Sequence, residues 1–287
     1  MRSIALFTLL FVSGTAMCQT LNRKAVFSKD QQLEKKADMK ISFGMEMMGQ
    51  TIEIISENNI TSLMAVKSVS DKGYDISSII KHVVSNTGAM GQNMSYDSDK
   101  PGTEDNEVAK VMKKMVGKTA NFSVDKKGYI TASDDTTSAG DGMGQLPGMG
   151  SGMISGLSAA QGKVGATFEL VAPVPDKVLK AGDTWSDSTI DKDSKQVSNY
   201  KVVSIANNIA TVALDGTVSR KGETEAEGMT VNMDMKGKMA GEMLVDVATG
   251  IVKKRSMELT GNGNMEIMGQ SVPFTMKMTM GENVNPK

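Results

Sequence analysis

Cysteine, histidine and tryptophan each occur once in 287 residues, and proline only 6 times. One Cys and one His exclude a Cys/His zinc cluster, a Cys-His nucleophile pair and a disulfide framework. Aromatic residues are scarce too: 1 Trp, 4 Tyr and 7 Phe. Neither sign of charge dominates, with 32 Lys+Arg against 33 Asp+Glu. That balance argues against a nucleic-acid or anionic-membrane binder, which would carry a basic excess. No apolar run approaches the ~20 residues that cross a bilayer as a helix.

Familiar catalytic motifs are also missing. No G-x-S-x-G elbow exists. The stretch from Gly156 to Gly162-Lys163 is one residue too long for a phosphate loop, and Val164 stands where Ser or Thr must hold magnesium. The glycines of 140–156 never give G-x-G-x-x-G. His82 shares strand parity with Ile76, Ile80 and Val84, which suits a core or sheet-face histidine. The acidic pairs Asp134-Asp135 and Asp191/Asp193 sit in turn-like sequence and read as solvated charge. No cofactor is expected, and the reading is against an enzyme.

What is abundant is methionine and glycine, at 25 and 29 residues. The N-terminus combines Arg2, an apolar run from Ile4 to Val12, and the small-residue stretch Ser13 to Cys18. This reads as a signal peptide over 1–18, with Gln19 first in the mature chain and export to a periplasmic or extracellular compartment. Thr15 and Met17 fit poorly around a lipidated cysteine, so an acylated Cys18 is the lesser reading.

Period-two alternation, the mark of strands, begins at Met39. Ile41, Phe43 and Met45 alternate with Lys40, Ser42 and Gly44. Strands are expected at 51–56, 60–69, 73–84, 118–124 and 128–133, with turns at Asn58-Asn59, Asp71-Lys72-Gly73 and Asp125 to Gly128. Residues 28–36 read as a helical turn or a loop. A helix is expected near 104–116, capped by Thr103, because Val108, Val111, Met112 and Met115 share one face. Residues 134–163 hold 8 Gly and no aromatic residue and read as a flexible loop between an N-terminal half (19–133) and a C-terminal half (164–287). Further strands are expected at 197–205, 209–218, 229–247, 251–260 and 264–280. Met45–Ile54 and Met265–Phe274 echo each other, identical at five of ten positions. The copies lie at the two ends of the chain, so first and last strands are expected to pair.

The longest alternation puts Val231, Met233, Met235, Met239 and Met243 on one parity, following Met229, with Met276 and Met278 on the last strand. These eight residues form the candidate ligand-binding face. Methionine is unbranched and polarisable, and suits an adaptable apolar surface. Two other readings stay open: methionine as simple core filler in a structural or envelope-interaction protein, and thioether ligation of Cu(I) by M-x-M pairs. The expected partner is a lipid or other hydrophobic small molecule, with an envelope protein as the alternative.

The Lys180-Ala181-Gly182-Asp183-Thr184-Trp185 segment, the repeated Met-Gly-Gln turns and the Asp125 to Ile130 turn resemble an uncharacterised family of secreted proteins of unknown function from Bacteroidota. More distantly, the expected architecture is similar to the half-barrels of the LolA and LppX carriers, which implies acyl chains held in a concave face. The expected fold is mainly β: a large curved antiparallel sheet or open half-barrel with one short helix on a face.

Overall fold

Alternating apolar and polar residues make each strand two-faced, and the twelve described strands join one sheet. The structure, a computed structural model, describes residues 19–287 except 48, 90, 101–105, 135–161, 192, 227–228 and 268. The signal-peptide reading and nearly all of the 134–163 segment therefore lie outside the described residues. The strands are β1 (Gln32–Met47), β2 (Gln50–Val69), β3 (Gly73–Ala89), β4 (Gln92–Asp97), β5 (Thr119–Asp125), β6 (Ile130–Ser133), β7 (Thr184–Ile190), β8 (Ser194–Ala206), β9 (Ile209–Ala226), β10 (Met229–Asp246), β11 (Val252–Ile267) and β12 (Gln270–Pro286). The helix α1 (Glu107–Lys113) follows β4. The strand order is β6-β5-β3-β2-β1-β12-β11-β10-β9-β8-β7, with β4 also on β3, and every pairing is antiparallel. The sheet is open.

The chain's first and last strands meet at the centre. β1 pairs β12 from Leu33↔Pro286 to Met45↔Phe274. The echoing hairpins therefore lie side by side. Their Met-Gly-Gln turns, and the third one between β3 and β4, place Gly49, Gly269 and Gly91 at φ 77°, 77° and 78°. Only glycine adopts that backbone at little cost. The Asn207-Asn208 turn is also as expected, with both residues at positive φ, 49° and 62°.

Several local expectations are corrected. Residues 28–36 are not helical: a turn at 29–30 leads straight into β1. Asn58-Asn59 is not a turn. β2 runs through it, because buried Asn58 donates to Ser56 Oγ at 3.1 Å and accepts from Ser85 Oγ at 2.7 Å. The helix cap is Asn106, whose side chain accepts from the Ala109 amide at 2.8 Å. A bulge opposite Thr61 and Ser62 shifts parity in β3, so Val83 faces inward and His82 outward, where Nε2 lies 3.0 Å from Asp97. Strands β4 and β7 lie where no strand is expected, and the strand expected at 264–280 is broken at Gly269, so that 264–267 end β11 and β12 starts at Gln270.

The apolar face has four buried clusters. At one end of the sheet, loop segments cover it. Ala25, Phe27, Phe168 and Leu170 pack on Leu33, Met64, Tyr74 and Ile76 of the N-terminal half. Leu21, Ala172, Val174 and Leu179 pack on Val202, Val212, Met243 and Val245 of the C-terminal half. The only tryptophan secures this strap: Trp185 stacks on Tyr200 at 4.9 Å, and its Nε1 donates to the Pro173 carbonyl at 3.0 Å. Helix α1 covers β3 and β4 through Val108, Ala109 and Met112. The fourth cluster, at the other end, is built wholly from β1, β2, β9, β10, β11 and β12.

Candidate functional site

This fourth cluster holds most of the expected binding face. Val231, Met233, Met235, Met239, Met276 and Met278 belong to it, and all are 1–5% exposed. Met243 shares their parity but lies under the strap with Val245 and Val212. Met229 starts β10, and the described residues settle nothing about its side chain. Sequence parity also left out members of the face. Ile41, Phe43, Ile54, Val218, Leu259, Met265 and Phe274 complete the cluster, brought in by cross-strand register.

Register explains why methionine recurs here. Gly216 lies opposite Met239, Gly222 opposite Met233, Gly263 opposite both Met235 and Phe274, and Gly261 opposite Met276. A flexible thioether chain can lie across the space that a glycine leaves. Over Gly216, Met239 Sδ comes within 4.0 Å of Ser198 Oγ two strands away. Two of these glycines are obligatory. A Cβ on Gly263 would sit 2.0 Å from the Asp234 carbonyl oxygen, and one on Gly216 2.2 Å from that of Val197. Such close backbone approach bends a sheet and demands glycine.

Polar groups border the methionines on the same face. On β2 and β3, Ser56, Asn58, Ser85 and Thr87 are buried and bonded to one another. On β1, β11 and β12, Lys35, Arg255 and Glu282 join Glu169 of the strap in a charge network. Arg255 Nη1 donates to Glu282 at 2.9 Å, and Lys35 pairs with Glu169 and lies 3.8 Å from Glu282. Burial alone would lower the Lys35 pKa, but Glu169 and Glu282 outweigh it and hold the ammonium above its usual range. Between this network and the buried methionines runs a cross-strand row, Met39, Met280 and Met257, directly opposite one another and half-buried.

Three depressions among the described residues lie on the opposite, polar face. One of about 960 Å³ crosses β9 to β12 and β1 and presents Asp215, Lys238, Ala240, Ser256 and Glu258. No group of three or more His, Cys, Asp or Glu side chains suited to a metal ion occurs among the described residues. No helix among them is long and apolar enough to cross a membrane.

The family model that matches residues 71–252 is that of a family of unknown function, DUF6263. The chain belongs to this family. The match agrees with the resemblance to an uncharacterised family and says nothing about source or about the LolA and LppX carriers. No curated protein matches the sequence. Among solved structures, the chain is similar to lipovitellin, from a study of its lipid-protein interactions, at 10% identity and a TM-score of 0.47. That match covers 91% of this chain and 26% of the other, so the chain spans about a quarter of the lipovitellin chain. An outer membrane channel from Pseudomonas putida F1 matches at 7% identity and a TM-score of 0.25, covering 91% and 98% of the two chains. OccAB4 from Acinetobacter baumannii matches at 7% identity and 0.22, covering 91% and 99%. At these scores none of the three carries weight for function.

Proposed function

We propose that this is an exported, non-enzymatic protein that takes up an apolar, lipid-like ligand against the Met-lined face of β10, β11 and β12. The observation behind this reading is the alternation of methionine with glycine across those strands. A face built only for stability is usually filled by Val, Ile and Leu, whose rotamers are few and well defined. Methionine over glycine gives an apolar surface that rearranges at low cost, which suits acyl chains of varied length. The polar residues of the other face, among them Lys236, Lys238, Glu242 and Glu258, keep it in water. The test is binding of a fluorescent fatty acid to the mature chain, together with native mass spectrometry of protein from its own host. Saturable binding displaced by unlabelled lipid supports the reading. No binding and no retained mass sink it.

A second reading is favoured by the burial itself. With Met235 only 1% exposed, the face is packed as it stands, as in a structural or envelope-interaction protein whose core is methionine. The same experiment separates the two. Stoichiometric Cu(I) uptake in place of lipid would instead point to the half-buried row of Met39, Met257 and Met280.

A further inference from the structure

Three methionines form a row across the centre of the sheet that stays partly open to solvent. Met39 on β1 lies directly opposite Met280 on β12, and Met280 directly opposite Met257 on β11. Residues paired in this way leave the same face, so three thioethers stand side by side at strand spacings of ~4.8 Å. All three are half-buried. The next row into the methionine cluster, Ile41, Met278 and Leu259, is only 1–4% exposed. The M-x-M pairs Met233/Met235 and Met276/Met278 are closed in the same way. Within each pair the side chains also leave the strand ~6.6 Å apart. The cross-strand row therefore offers accessible sulfur where the pairs do not.

The surroundings suit a soft monovalent cation. A thioether is neutral and polarisable, and such sulfur ligands select Cu(I) over hard divalent ions. With three rotatable bonds each, Met39 and Met257 can lean over Met280 from both sides. At the ends of the row stand Asn58 on β2, whose side chain is held by Ser56 and Ser85, and Gly241 on β10, which has no side chain to block approach. Glu282, two residues beyond Met280 on the same face, belongs to the network in which Lys35 and Arg255 face Glu169 and Glu282. Two cations against two carboxylates leave no net charge, so the network does not repel an incoming cation. We propose that Met39, Met280 and Met257 form a three-thioether site for one Cu(I) ion. The site needs no cavity, and it stands whether or not the packed methionines beside it admit an apolar ligand.

The test is anaerobic titration of the mature chain with Cu(I) against a chromophoric Cu(I) chelator, using wild type, Met280→Leu, Met257→Leu and the buried control Met235→Leu. Leucine keeps the volume and removes the sulfur. Wild type and Met235→Leu should each take up one Cu(I) per chain. Met280→Leu removes the central ligand and should abolish that uptake. Met257→Leu should weaken it by roughly tenfold or more, since losing a ligand costs no less than losing the support of one. Urea titration followed by Trp185 fluorescence shows that each variant folds. A second readout needs no variant: in the spectrum of methyl-labelled methionine, one equivalent of Cu(I) should shift Met39, Met257 and Met280 and leave Met233 and Met235 in place. No uptake by wild type, or full uptake by a folded Met280→Leu protein, would overturn the site. Uptake lost in Met235→Leu, or shifts centred on Met233 and Met235, would place the ion among the M-x-M pairs and equally refute it.

Discussion

Phe43 and Phe274 stand on the first and last strands, with ring centroids 5.3 Å apart and planes tilted by 34°. Both are almost fully buried in the methionine cluster. The contact sits at the seam where the two halves of the chain close into one sheet. It joins the strand that leads into one Met-Gly-Gln turn to the strand that leaves the other. Aromatic pairs of this geometry add to stability beyond the area they bury.

Phe274→Ala should therefore lower unfolding stability by about 3–5 kcal/mol. Urea titration followed by Trp185 fluorescence would measure it. A loss below about 1 kcal/mol would show that the seam is held elsewhere.

Two glycines on β11 should respond unequally to the same change. Gly263→Ala drives a Cβ into the Asp234 carbonyl at 2.0 Å, whereas the nearest atom to a Cβ on Gly261 is 3.3 Å away. We expect Gly263→Ala to cost about 1–3 kcal/mol or more, and Gly261→Ala clearly less. Similar melting temperatures for the two variants would refute the close approach of β10 and β11 at this point.

Met235→Ala should cost about 2–5 kcal/mol if the face remains packed in solution, and Met235→Leu less than about 1.5 kcal/mol. A much smaller loss for the alanine variant, combined with weaker fatty-acid binding, would mean that the face opens readily. Thermal melts with and without the fluorescent probe supply both measurements.

The charge network gives an alkaline signature. The Lys35 pKa is raised in the folded protein from the usual 10.5. Its stabilising contribution is then complete below about 10.5 and lost as pH rises through the higher folded value. Denaturant midpoints of the wild type should fall in that range, and Lys35→Met should remove this part of the fall. Glu282→Ala strands two cations near one carboxylate and should cost about 3–5 kcal/mol at neutral pH. Identical alkaline profiles for wild type and Lys35→Met would contradict the assignment.

Much of the strand content was legible in the sequence, because alternation of residue type is set by the two-residue repeat of an extended chain. Met233, Met235 and Met239 had to share a face once β10 was continuous. Several turns were legible for the same local reason: Gly49 and Gly91 take positive φ and Asn207-Asn208 tolerates it, whereas the strand expected at 264–280 ran across the Gly269 turn. Even the pairing of β1 with β12 was signalled, through the echo of Met45–Ile54 in Met265–Phe274. The errors arose where tertiary contacts overrode local chemistry. Asn58-Asn59 reads as a turn, yet Ser56 and Ser85 satisfy Asn58 inside a strand. His82 and Val83 exchanged faces because a bulge, invisible to periodicity, adds a residue to β3.

The sequence by itself determined most of the strands, several of their turns and the apolar parity of the methionines, since each depends on neighbours a few residues away. Only the tertiary structure decided which residues face one another across strands. It set Gly263 between Met235 and Phe274, brought Glu169 of the strap to Lys35 of β1, and turned Arg220 onto the methionine face. The physical reason is that register, burial and charge pairing join residues up to more than two hundred positions apart. No local propensity encodes such a distance, and the folded sheet sets it only when all its strands are in place.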